Sequence, residues 1–524
     1  MSDRKTISES PNQRPFVLPD HLIVAVYLVA LSLIYFPFVI YFARHLSFWY
    51  DELFTYYVAS LPDVRTIWRS LLAGMDVHPP LDYILSHYSM LLFGHSELGA
   101  RIPSIAAFYG SLLCVFFYAR AAHSTLAGVI ASSMLLGSSA SRYAVEARGY
   151  SLVLFFASAA LLLWRALSVD RKAPLWRWLT LGTCLAGAVW THYYGVLIIA
   201  AFAIAGVVYW AERGRFPTQL FVTLVAVTTA VVPVVPFAIA AKSYSSHFWS
   251  VPPSNPIPAM HDSIGRLGYA GVELLLLFAL CTLLLSRAPS MRWFLPQWET
   301  RFELAKSEIA LLIALQFAPV MQWLLARTVT NAYVWRYTIA SIAAASVVGG
   351  LLLAQICARN STLALAVCLV CILYASDALL SLRYLRVSRQ QRLATVAALD
   401  THLQSSTTVL AAPHGNTYLV YYYYGSLRLK RNLVMFSDED AAVRLGHTDT
   451  DQIALEHLAS FVPMRLEPVN RFIASHPRID LTSGRYDSET WIIPKLLESG
   501  YRVSFAPTRV HEVIYNCEYA KGQQ

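Results

Sequence analysis

The chain has 524 residues, 56% of them apolar and only 14% charged, with a formal net charge of +9. Such a composition excludes a soluble multidomain protein and describes a polytopic α-helical membrane protein. The positive balance is not a nucleic-acid signature, because no Lys/Arg block stands out and the basic residues are spread over short loops between apolar runs, as membrane topology requires.

Taken in chain order, Met1 to Asp20 is polar and contains Pro, and the apolar run behind it is too long and lacks the small-residue site of a cleaved signal peptide. It predicts an uncleaved first span. Runs able to cross roughly 30 Å of hydrocarbon lie near 21–43, 100–120, 124–141, 148–166, 178–194, 195–211, 217–240, 266–286, 307–327, 337–358 and 363–384, about eleven transmembrane helices. With a cytoplasmic N-terminus, the inner segments hold 15 Lys and Arg in 68 residues and the outer ones 8 in 95. This asymmetry sets the orientation, and an odd number of spans then puts everything after about residue 386 outside. Six of the seven cysteines lie in apolar runs; Cys368 and Cys371 have C-x-x-C spacing but sit in a lipid-embedded segment, where packing is the simpler role.

The first outer loop, 44–98, is too apolar and too patterned for a free linker. Its Ser47-Phe48-Trp49-Tyr50-Asp51-Glu52-Leu53 sets two adjacent carboxylates at the mouth of the first span, where a membrane enzyme could keep a general base or a metal ligand. Interfacial acids also serve simply as helix caps, and the aromatic belt of Trp49, Tyr50, Tyr56 and Tyr57 suits a membrane interface as well as sugar stacking. Val64, Ile67, Trp68, Leu71 and Leu72 have the spacing of a helix lying flat in the interface. Asp76-Val77-His78-Pro79-Pro80-Leu81 then gathers an acid, an imidazole and a rigid turn at the start of a second helix, because proline is tolerated in a first turn.

Arginines mark the outer ends of later spans: Arg101 before Ile102-Pro103-Ser104, Arg142 and Arg148 around Glu146, and Arg336 in Trp335-Arg336-Tyr337. Guanidinium groups near lipid need anionic partners, which a lipid phosphate or the neighbouring Glu97 and Glu146 could supply. His192, in Trp190-Thr191-His192-Tyr193-Tyr194-Gly195, also ends a span on the outer side, where a lone histidine is more often structural. Beyond 386 the charge rises and the apolar runs shorten. Thr408–Ala412, Tyr418–Tyr424 and Asn432–Phe436 read as strands, Glu489–Ser499 as a helix and Tyr501–Ala506 as a strand, which predicts a small extracytoplasmic α/β domain, 387–524, docked on a membrane domain, 1–386. It carries no Gly-rich phosphate loop, so its expected role is a supporting one in acceptor recognition. The Asn360-Ser361-Thr362 sequon falls in a predicted cytoplasmic turn, so no outer glycosylation signal points to the secretory pathway and a bacterial plasma membrane is expected.

Together these segments resemble the GT-C membrane glycosyltransferases, the group that holds protein O-mannosyltransferases and the aminoarabinose transferases of lipid A. The resemblance rests on Asp51-Glu52, Asp76-Val77-His78-Pro79-Pro80-Leu81, Arg101-Ile102-Pro103-Ser104, Glu146-Ala147-Arg148-Gly149-Tyr150, His192-Tyr193-Tyr194-Gly195 and Arg336-Tyr337, ordered over residues 45–350. The chain departs from the group after Arg336-Tyr337, where Thr338-Ile339-Ala340-Ser341 stands in place of a proline-rich continuation. The resemblance implies a sugar donor on a polyprenyl phosphate, an acceptor hydroxyl on a lipid, glycan or protein arriving from outside, and direct displacement with inversion. It gives Asp51 the role of catalytic base with Glu52 as its partner, Arg101, Arg148 and Arg336 the donor phosphate, and Tyr50, Asp76, His78, His192 and Tyr193 contacts to acceptor or sugar. No cofactor is required by the sequence; a divalent metal stays open, since Asp51, Glu52, Asp76 and His78 could converge as hard ligands. A transporter or flippase of a lipid-linked sugar would also place acids and arginines beside lipid, but such proteins tend to carry two repeated halves with broken helices, and no repeat is found here.

Overall fold

A computed structural model describes residues 19–170, 173–244, 247–255, 304–358, 360–405, 409–482, 491–506 and 514–520. Among these, seven helices are long and apolar enough to cross a membrane: Asp20–His45, Glu97–Ala122, Tyr150–Val169, Tyr193–Arg213, Thr218–Tyr244, Ala340–Cys357 and Ser361–Tyr384. A bent pair, Lys306–Gln316 and Ala318–Thr330, meets at 46° and is long and apolar enough for an eighth crossing only if the two helices form one span. Pro319 lies just past the bend, in the first turn of the second member, where its missing N–H costs nothing but the preceding helix cannot continue. Of the eleven expected helices, the third is 13 residues long, Thr125–Gly137, because the chain tightens into a 3-10 turn at Ser139–Val145. Leu175–Thr191 has 17 residues, and the predicted span 266–286 lies outside the described residues.

The segment 44–98 folds into helices Tyr50–Ala59, Val64–Leu72 and Leu81–Phe93, the last two as their pattern predicts and the first, which carries Asp51-Glu52, in addition to them. Asp63 caps the second by accepting the Thr66 N–H at 2.8 Å, and the buried stripe of Ile67 and Leu71 ends beside Trp68, which packs edge-on to Phe237 at 4.7 Å.

Among the described residues, the C-terminal part builds one six-stranded sheet from β1 (Val409–Ala412), β2 (Leu433–Ser437), β3 (Leu466–Pro468), β4 (Arg478–Thr482), β5 (Tyr501–Ala506) and β6 (Ile514–Tyr519), in the order β3-β2-β1-β4-β6-β5. The first four are parallel, and β6 runs antiparallel to both β4 and β5. Tyr418–Tyr424, expected as a strand, lies instead in helix Gly415–Tyr424. Parallel β1 and β2 need a crossover, which a helix supplies, and Tyr418, Tyr421 and Tyr422 are buried at helical spacing. The pleat divides the sheet between two cores. Leu410, Ala412, Leu433 and Met435 join the core that runs through the membrane helices, whereas Ala411, Val434, Phe436, Ile479 and Leu481 pack on the other face. The sheet is thus joined by its own hydrophobic face to the helices below it.

Candidate active site

The site starts at the first turn of helix Tyr50–Ala59, where free backbone N–H groups favour acids. Adjacent residues on a helix point about 100° apart, so the two carboxylates go separate ways. Asp51 keeps 20% of its side chain exposed and faces a cavity of about 820 Å³, whereas Glu52 is fully buried.

Glu52 is the centre of a brace. Its carboxylate takes Arg101 Nε at 2.7 Å and Nη2 at 2.8 Å, and also accepts the backbone N–H of Ala147 at 2.8 Å and that of Trp49 at 3.4 Å. Arg101 gives its remaining N–H groups to the carbonyls of Ala43, Leu46 and Ser47 at 2.8, 2.9 and 3.2 Å, so that all five guanidinium donors are engaged with none of the side chain exposed. Neither residue lines the cavity. The expectations of Arg101 as a phosphate contact and of Glu52 as a catalytic partner meet a different arrangement: long-range pairing has withdrawn both into the interior, where they fix the turn that carries Asp51. Arg386, which sequence reasoning missed, completes the brace. It lies 3.8 Å from Glu52 Oε2, donates to Glu146 Oε1 at 2.6 Å and stacks over Trp49 at 4.4 Å.

Two of the expected arginines do reach the cavity. Arg336 donates from Nη2 to Asp51 Oδ2 at 3.3 Å and from Nε to the Tyr150 hydroxyl at 2.8 Å, its guanidinium lying over the Tyr150 and Trp249 rings. Arg148 donates to Asp76 Oδ2 at 2.8 Å, to the Asp51 carbonyl at 3.2 Å and to His78 Nδ1 at 2.8 Å. Because Nδ1 accepts from a guanidinium, His78 is neutral with its proton on Nε2, a tautomer assigned from its partners. Burial and the Arg148 charge both lower the His78 pKa, which favours this state. Burial alone would raise Asp76, but the Arg148 charge outweighs it and holds the carboxylate well below its ordinary range. Tyr50 also lines the cavity. His192 stands behind His78, with ring centroids 5.0 Å apart, and packs on Tyr337 at 4.5 Å; its Nδ1 accepts the Tyr194 N–H at 3.2 Å. Neither it nor Tyr193 is among the cavity-lining residues.

Deeper still lies Asp82, only 4% exposed, whose carboxyl is pushed up to about 6 by burial, against the pull of Arg148 and with the repulsion of Asp76. Among the described residues no three His, Cys, Asp or Glu side chains are placed to hold a metal ion, and Asp51, Glu52, Asp76 and His78 do not converge. The far wall of the cavity comes from the C-terminal part, through His414, Asn416, Thr450 and Asp451 at two helix starts. No sequence motif announced them, because only the crossover topology brings these helix starts to the site.

Residues 77–239 match the family model described as dolichyl-phosphate-mannose-protein mannosyltransferase. No curated protein sequence matches the chain. Among solved structures, ArnT from Cupriavidus metallidurans in the apo state is similar with a TM-score of 0.57 at 14% identity, over 95% of this chain and 98% of that one. The same protein bound to undecaprenyl phosphate gives 0.55 at 15% identity over the same shares. The family match and this similarity bear out the resemblance read from the motifs: the chain has the fold of the GT-C membrane glycosyltransferases of the O-mannosyltransferase and ArnT group.

Proposed function

We propose that the protein transfers a sugar from a polyprenyl phosphate to an acceptor hydroxyl at the extracytoplasmic face of a bacterial plasma membrane, with inversion. One observation carries this reading: Asp51, Arg148 and Arg336 line one cavity, where Arg336 is ion-paired with Asp51 at 3.3 Å. The similar ArnT structure with undecaprenyl phosphate bound supports a lipid phosphate as the donor's carrier. In the reaction, Asp51 takes the proton of the acceptor hydroxyl as its oxygen bonds to the anomeric carbon. The bond from that carbon to the phosphate oxygen breaks, its electron pair stays on the phosphate, and Arg148 and Arg336 stabilise the growing charge. Attack opposite the leaving phosphate inverts the centre. The prenyl tail stays in lipid while the phosphate remains paired. Glu52 and Arg101 act as positioning residues beneath Asp51, and the division at about residue 386 separates the membrane domain from an outer domain that closes the cavity.

The test is turnover of radiolabelled polyprenyl-phosphate hexoses and pentoses by reconstituted protein, read as release of polyprenyl phosphate. Asp51→Asn should lower it by at least about a hundredfold with an unchanged thermal midpoint. Undiminished turnover by that variant would overturn the assignment.

A further inference from the structure

Arg336 sits on backbone that belongs to no regular α-helix. After Thr330 the chain turns through Asn331 at a φ of +50°, runs outside any helix to Val334 and enters the 3-10 turn Trp335–Thr338. Carbonyls on such a stretch, at the end of a membrane helix, need partners from elsewhere. Three successive ones have them: the Tyr194 hydroxyl donates to Ala332 at 2.9 Å, the Ser250 hydroxyl to Tyr333, and Gln322 Nε2 to Val334 at 2.8 Å.

Gln322 differs from the other two donors because its amide reaches both ends of the turn. Its Oε1 accepts the Thr338 hydroxyl at 3.3 Å, so one side chain with none of its surface exposed joins the residues two before and two after Arg336. The orientation of the amide follows from its partners, since a carbonyl takes the nitrogen and a hydroxyl can donate to the oxygen. Across the 46° bend, Gln316 donates to the Ser341 carbonyl at 2.8 Å. The two glutamines tie both arms of the bent pair to the backbone around Arg336, and a proline at 338 would offer Gln322 no hydroxyl. Neither glutamine lines the cavity. The turn they hold, however, sends Arg336 into it, with Nε on the Tyr150 hydroxyl at 2.8 Å and Nη2 on Asp51 at 3.3 Å. A small rotation of that turn would carry the guanidinium off the place where it meets a phosphate. We infer that Gln322, through Val334 and Thr338, is a positioning residue that aims Arg336 at the donor phosphate, with Gln316 in support. The inference rests on the transferase reading above and deepens it by naming what sets the geometry of one phosphate contact.

The test titrates undecaprenyl phosphate, which carries no sugar, into the purified full-length protein in detergent. Arg336→Ala should weaken binding by about tenfold or more and Gln322→Leu by about threefold to tenfold, as expected for losing a charge-assisted and a neutral hydrogen bond. Added to Arg336→Ala, Gln322→Leu should change the affinity by less than about twofold, because a residue that acts through Arg336 has nothing left to aim, whereas a merely structural loss would add in full. Thr338→Val and Gln316→Leu should show the same pattern in smaller measure and are read by the same criteria if Gln322→Leu folds poorly. The inference is overturned if Gln322→Leu keeps wild-type affinity, if its effect persists undiminished beside Arg336→Ala, or if Arg336→Ala itself binds undecaprenyl phosphate as wild type does. Turnover separates the two proposals. Non-additive binding with no transfer from any polyprenyl-phosphate sugar would uphold the positioning role and remove the transferase reading, and additive binding with Asp51-dependent transfer intact would remove the positioning role alone.

Discussion

At the scale of single residues, the two carboxylates at the start of helix Tyr50–Ala59 have unlike surroundings, and so does a third acid nearby. Asp82 is buried with no hydrogen-bond partner for Oδ1 among the described residues and carries a pKa raised to about 6. Its folded-state value lies above the unfolded one, so the stability it contributes is whole below about 3.8 and is lost as pH rises through about 6. Asp82→Asn should therefore raise the thermal midpoint at pH 8, by up to about 3 kcal/mol in stability, and change it much less at pH 5. Equal shifts at both pH values would show that Asp82 is not protonated below 6. Asp51 and Asp76 were legible in the sequence as acids at the membrane mouth. Their different partners, Arg336 and Arg148, were legible only as a list of outer arginines, because pairing across 285 and 72 residues of chain leaves no local pattern.

At the scale of elements, hydropathy revealed the membrane spans and helical spacing revealed the loop helices, since burial against lipid or core imposes those periods directly. The tyrosine run at 418–424 misled, because side chains that favour strands were overruled by the need to cross between parallel strands. The brace was hidden for a similar reason. Arg101 stands near a helix start beside Ile102-Pro103-Ser104 as a phosphate contact would, yet Glu52 and three backbone carbonyls take all of its donors. Arg101→Met should leave Glu52 buried without its main partner and cost about 3–5 kcal/mol, seen as a large fall in thermal midpoint and in folded yield. A midpoint equal to wild type would mean that the brace is not what holds the turn.

At the scale of the whole molecule, the passage from helix Ser361–Tyr384 into the C-terminal part is also a clamp on the turn that carries Asp51. Ser47 N–H and Oγ both donate to the Val387 carbonyl, at 3.2 and 2.9 Å, and Phe48 N–H donates to the Tyr424 hydroxyl at 2.8 Å. His457 and Tyr244 meet on the Gly74 carbonyl, at 2.8 and 2.7 Å, where the chain turns at a φ of +82° that glycine tolerates. The orientation argued from Lys and Arg counts can be checked on this frame. Ser475→Cys, exposed on the outer domain, should react with a membrane-impermeant maleimide in intact cells, and Arg215→Cys only after permeabilisation. The reverse pattern would invert the topology and, with it, the face on which transfer occurs.

The ion pair between Asp51 and Arg336 has a kinetic meaning for the proposed reaction. At rest the base is masked by the same cation that must receive the donor's phosphate, so an acceptor or a water molecule arriving first meets a carboxylate already neutralised. A phosphate brings more charge than one carboxylate and competes for Arg336, which leaves Asp51 free to take a proton only once the lipid donor is seated. Binding should then be compulsory in order, donor before acceptor, with free polyprenyl phosphate inhibiting competitively against the donor alone. Random-order initial-rate patterns would contradict this. Ordered ones would mean that the base is released for proton transfer only after the lipid-linked sugar is in place.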